Sequence, residues 1–155
     1  MRTKWYWVFF ALRISSLAVL SIFSVSCDQD GMEYYPYQEE FEEYLNKLQV
    51  EVKTKEVLLL PLDSCGLCVD QILEELAETG KVLTVILSGG VVPKDRLAKV
   101  NQLLPKENLQ IIVDEQNLSN RYDLNAFSPI SIDVSQKEYR YVSLSPQNSA
   151  QFILD

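Results

Sequence analysis

From residue 56 to residue 144 the chain alternates short apolar runs with longer amphipathic stretches, and this alternation limits its fold more than any other feature. The runs at 56–62, 82–87 and 109–113 have strand length and are rich in Val, Leu and Ile, as strands buried on both faces are. Between them, 65–78 repeats apolar residues at 68/69, 72/73 and 76/77, one helical face, and Gly80 follows as a C′ residue. A second helix is predicted over 93–104, with Pro93 near its start, Leu97, Val100 and Leu103/Leu104 inward, and Pro105 beyond its end. A short helix is predicted over 117–125. Segments 130–134 and 139–144 form a hairpin across 135–138, and 146–155 has room for a helical turn. This order predicts an α/β fold: a mixed central sheet, helices on both faces, and a C-terminal β-hairpin at the antiparallel edge.

Two segments of different character precede this core. Residues 39–48 place Phe41, Tyr44, Leu45 and Leu48 on one face and acids on the other, a helix that docks on the domain and opens it at residue 39, so the domain runs 39–155. Residues 28–38 lack any period and read, together with Cys27, as a tether (27–38). Residues 1–26 carry Arg2 and Lys4, then an apolar stretch, then Ser24 and Ser26 just ahead of Cys27, the layout of a signal peptide. Phe23-Ser24-Val25-Ser26-Cys27 resembles a bacterial lipoprotein signal, although Ser24 stands where Leu is usual. That resemblance implies an acylated Cys27 at the mature N-terminus and attachment to a membrane of the cell envelope, on its periplasmic or outer-membrane face. An uncleaved anchor and an ordinary secretory signal are the alternatives. All three place the body of the protein outside the cytoplasm.

Charge narrows the partners. The formal charge is −8 for the whole chain and becomes −11 once Arg2, Lys4 and Arg13 leave with the signal, which contains no acid. Such an acidic chain without a basic cluster is a poor match for nucleic acid or anionic lipid. Membrane attachment then falls to the lipid on Cys27.

The chemistry sits at one corner. Cys65-Gly66-Leu67-Cys68 links the run 56–62 to the amphipathic stretch after it, so two thiols lie a turn apart at a helix start. Unsatisfied N–H groups and the positive dipole end there favour thiolate over thiol. Cys65, first in the helix, is the expected attacking thiolate, and Cys68 the thiol that resolves a mixed disulfide. In an export compartment such a pair persists as a disulfide when oxidised. The chain has no histidine, which removes Ser-His-Asp catalysis and leaves one Cys pair where structural zinc needs four ligands. No metal and no cofactor are expected. A thiol peroxidase would want Thr or Ser where Leu62 stands, and Ser88-Gly89-Gly90 lacks the lysine of a phosphate loop and reads as a turn.

The order of elements, Cys65-x-x-Cys68, and Phe127-Ser128-Pro129-Ile130-Ser131-Ile132-Asp133 together resemble the thioredoxin superfamily, specifically its exported TlpA-like branch, over residues 55–145. The resemblance implies that Pro129 is a cis-proline packed beside the cysteines, with Ser128 as the residue whose backbone pairs with substrate. Leu67 and Pro129 would then form an apolar shelf for a partner's cysteine segment. It further implies disulfide exchange, in the reducing direction, with exported cysteine-containing proteins, and a membrane electron donor as a second kind of partner. The chain departs from the family at Ser64, where Trp is usual, at Leu67, where many members have Pro, and at Leu58-Leu59-Leu60, where several carry a buried acid. Asp63, in the turn, would raise a thiol's pKa if close. The alternative is a non-catalytic binding module with a structural disulfide, with Pro129 as a plain strand-start proline.

Overall fold

Every residue from Val57 to Leu62 is buried, a demand only a central strand with both faces covered can meet. In the computed structural model, which describes residues 31–90, 92–124 and 126–154, this run is β2 (Glu56–Pro61). It pairs in parallel with β3 (Leu83–Ser88) and antiparallel with β5 (Ile130–Asp133). β4 (Leu109–Val113) extends the parallel side, and β6 (Arg140–Ser143) extends the antiparallel side as the second strand of the hairpin. With β1 (Glu33–Tyr34) the sheet has the order β1-β6-β5-β2-β3-β4. The protein is therefore mixed α/β, with the hairpin on the antiparallel side as expected but with β1, not the hairpin, as the edge strand there.

Alternation along β2 sends side chains to two cores. Leu58, Leu60 and Leu62 join Val85 and Leu87 of β3 under Val69, Ile72, Leu73 and Leu76 of α2 (Gly66–Glu78), Val100 and Leu103 of α3 (Lys94–Leu103), and Ile153 of α4 (Ser149–Ile153). Val57 and Leu59 face the other way, with Ile86, Ile130 and Ile132, against Phe41 and Tyr44 of α1 (Gln38–Leu48) and against Leu118 and Leu124. Helices thus cover both faces, and α1 and α2 carry the apolar stripes their periodicity foretold. Among the described residues, no helix is long and apolar enough to cross a membrane. The signal segment 1–26, Cys27 and residues 28–30 lie outside the described residues.

Four local expectations are corrected. The stretch read as a tether docks along its described part: β1 pairs with β6, and the Tyr35 N–H donates to the Tyr139 carbonyl (2.9 Å). Tyr35 itself is fully buried, edge-on to Phe41, and its hydroxyl donates to the Leu124 carbonyl (2.8 Å). Burying that ring supplies the stabilisation that a two-residue strand cannot. α2 ends without a left-handed glycine, because Thr79 is extended (φ −62°, ψ 138°). Its last carbonyls accept instead from the Lys106 ammonium and the Asn108 side-chain amide. The predicted helix at 117–125 shrinks to a 3₁₀ turn, Leu118–Arg121. Finally, α3 is rotated from the expected phase: Leu97 and Leu104 are exposed, and Arg96 is buried beside Val100 and Leu103.

The docking of Tyr35 has a measurable consequence. Tyr35→Phe is expected to lower stability by about 1 kcal/mol through the lost hydrogen bond. Tyr35→Ala is expected to cost about 3–5 kcal/mol. Urea denaturation of the full chain in mild detergent checks both; a free tether would make both substitutions silent.

Candidate functional site

Beyond β2 the chain must turn sharply into α2, and two strand ends hold that turn. The Leu62 N–H donates to the Ser88 carbonyl (2.7 Å), and both the N–H and hydroxyl of Ser64 donate to the Pro61 carbonyl (3.1 and 2.8 Å). Asp63 accepts the Gly90 N–H (3.0 Å). Gly89 has φ +124°, and a Cβ there would lie 2.9 Å from the Asp63 carboxylate, so backbone and space both require glycine. Ser88-Gly89-Gly90 is accordingly the turn that clamps the corner.

Cys65 occupies the N-cap of α2, its carbonyl accepting the Val69 N–H (3.1 Å). One turn on, the Cys68 thiol donates to the Cys65 sulfur, with the two Sγ atoms 2.8 Å apart. Cys65 is exposed and Cys68 half-buried. This asymmetry divides the proton between them. The Cys65 pKa lies below that of an ordinary thiol, chiefly because the Cys68 thiol donates to it, then through the Cys68 and Leu67 amides and the positive charge of Arg96. Neither amide closes a full capping hydrogen bond, and slight desolvation opposes the shift. The Cys68 pKa is raised by that same hydrogen bond, by burial, and by the Cys65 charge. Asp63 is turned to Gly90 and is not among the groups that shift Cys65.

The remaining residues singled out from sequence fall around this corner in different ways. Leu67 projects outward, 80% exposed, between the cysteines. Ser128 is half-buried and Pro129 buried at the start of β5. Leu59 pairs with Ile130, so extending that antiparallel register brings Pro129 beside Leu60 and Ser128 beside Pro61, just ahead of the corner. The expected cis peptide is absent: no cis bond occurs among the described residues. Pro129 instead begins the ladder in trans, its carbonyl accepting the Leu144 N–H (2.8 Å), at a strand position where its missing N–H is tolerated. The loop before it shares a cavity of about 360 Å³ with the corner, lined by Asp63, Ser64, Ser88, Asp123, Ala126 and Phe127 among others. Phe127, 89% exposed, stands at its rim.

Sequence reasoning missed Arg96. Its signal was a phase ambiguity: 96, 100 and 103 fit a helical face as well as 97, 100 and 104 do, and the apolar choice carried the prediction. Among the described residues, no cluster of three or more Cys, His, Asp or Glu side chains is placed to hold a metal ion. In comparisons with known proteins, no family model, no curated protein and no solved structure matches this chain.

The clamp at the corner can be tested by a pair of substitutions. Gly89→Ala is expected to destabilise the chain by about 1–3 kcal/mol. Gly90→Ala, whose added methyl would sit 3.4 Å from the Asn117 side-chain amide, is expected to cost distinctly less. Urea midpoints of the two variants check the order.

Proposed function

We propose that this is a thioredoxin-like thiol–disulfide oxidoreductase of the bacterial cell envelope, tethered to a membrane through a lipid on Cys27, that exchanges disulfides with exported proteins. The observation that carries the reading is geometric: two sulfurs 2.8 Å apart at a strand-to-helix corner, the exposed one at the helix N-cap and its half-buried partner one turn in, with the first thiol's pKa drawn down and the second's pushed up by the bond between them. That is the arrangement a nucleophile and its resolving partner require. The strand-to-helix corner, the proline-led β5 beside β2, and the exposed Leu67 and Phe127 support it.

In the reducing direction the Cys65 thiolate attacks one sulfur of a partner disulfide, forming a mixed disulfide and expelling the partner's other thiolate, which is then protonated. Cys68, losing its proton, attacks the Cys65 sulfur. The Cys65–Cys68 disulfide forms and the partner's second thiolate leaves. Two electrons pass to the partner, and a membrane-side dithiol donor must return them before the next cycle. Leu67 and Phe127 offer apolar surface to the partner's cysteine segment, and Ser128 a backbone edge.

A second reading, a thioredoxin-fold binding module whose cysteines form a structural disulfide, is favoured by one observation. The Ser128–Pro129 bond is trans and Pro129 buried, as in an ordinary strand start.

Labelling and trapping separate the two. Because the Cys65 pKa is lowered and that of Cys68 raised, alkylation of Cys65 is expected to rise at lower pH than alkylation of Cys68, resolved by peptide mass. Cys68→Ser is expected to accumulate a mixed disulfide with a small disulfide-bonded reporter protein, and Cys65→Ser to form none. Two sulfurs that label alike, and only at high pH, would move the assignment to the binding module.

A further inference from the structure

One charged side chain is buried at the corner without belonging to the cysteine chemistry itself. Arg96, in the first turn of α3, is 7% exposed. A guanidinium of that size is withdrawn from water only where its donors find partners. Here they find the corner: one terminal nitrogen donates to the Leu62 carbonyl, three residues ahead of Cys65, and Nε donates to Asp70 (3.3 Å), one turn into α2. The other terminal nitrogen lies 3.1 Å from where a Cβ on Gly66, the residue after Cys65, would stand. A single group on a neighbouring helix thus bonds the segment before the nucleophile and the helix after it, and fills the space a side chain on the next residue would take.

We propose that Arg96 is a positioning residue for Cys65: its buried guanidinium ties the Leu62 turn to α2 and holds a fixed positive charge against the corner that carries the sulfur. The inference rests on the dithiol reading above.

The charges facing that corner fit this role. Asp70 would bring a negative charge toward a Cys65 thiolate, but it is paired with Arg96 and lies 3.8 Å from the Lys99 ammonium, which also holds Glu74 (2.9 Å). From the β2 side, Asp63 spends its carboxylate on Gly90. Cys68 faces Cys65 from within α2. Arg96 is therefore the buried cation that offsets the local acids and favours the thiolate. Gly66 fits the same account. Nothing in its backbone requires glycine, since its φ is not in the left-handed region, and alanine is the better helix former. The added methyl would, however, press on the guanidinium.

The test is the pH profile of Cys65 alkylation by iodoacetamide, resolved by peptide mass, in the reduced full chain in mild detergent. Arg96→Gln is expected to move the midpoint of the Cys65 profile upward by about half a unit to one unit, a roughly three- to tenfold slower labelling at neutral pH. Arg96→Lys is expected to restore part of the shift. Gly66→Ala, should Arg96→Gln fail to fold, is expected to move the midpoint the same way without loss of helix. A purely structural role for Arg96 would change labelling rates by the same factor at every pH and leave the midpoint in place. That result, in either folded variant, overturns the inference while the dithiol reading stands. A wild-type Cys65 that is inert across the range overturns both.

Discussion

The paired, doubly buried strand β2 is the constraint on which the rest of the structure depends. With β3 on one side and β5 on the other, its backbone groups are satisfied within the sheet, and its side chains feed both cores. A strand so placed cannot slide, because a one-residue slip would exchange every leucine between the two faces. Its end is therefore a fixed point in space, and that is where Asp63, Ser64 and Cys65 leave the sheet. The exposed sulfur owes its position to buried leucines.

From that fixed point the electrostatics follow. Parallel pairing places the end of β3 beside the end of β2, so Ser88 and Gly90 can bind the turn through Leu62 and Asp63. The right packing of α2 against the sheet then orients its N-terminus outward, with Cys65 exposed and Cys68 a turn deeper. Each sulfur meets a different environment, and their shared hydrogen bond widens the difference. α3, packed alongside α2, adds a cation from beneath. No single element makes the site; its ingredients come from two strand ends, one helix start and one neighbouring helix.

Much of this was legible in the chain, for physical reasons that can be named. β2 and β3 announce themselves because strands covered on both sides are apolar nearly throughout, β4 because it keeps a short apolar run although it lies at the sheet edge and is only partly buried, and α2 because its stripe repeats with the helical period. The Cys65–Cys68 pair was readable because its meaning comes from position, between a buried strand and an amphipathic helix. β1 was not readable, since two residues have no period and Tyr35 is held by contacts distant in sequence, its ring to Tyr141 and its hydroxyl to Leu124. The rotational phase of α3 was misread because Arg96 is buried for its charge and hydrogen bonds, which apolar patterning does not register. The end of α2 was misread at Gly80 because Lys106 and Asn108, from beyond α3, supply the donors that a left-handed cap would otherwise replace. Pro129 illustrates a resemblance outrunning the local backbone: the resemblance implied a cis bond, and the residue starts its strand in trans.

The central claim is that Cys65 and Cys68 form a reversible redox pair. It is tested most directly by equilibrating the full chain with graded ratios of reduced to oxidised glutathione and counting the intramolecular disulfide by mass. The account requires a single two-electron transition between a dithiol and a Cys65–Cys68 disulfide, reached from both the oxidised and the reduced side. A pair that stays reduced, or stays bonded, at every ratio would contradict it.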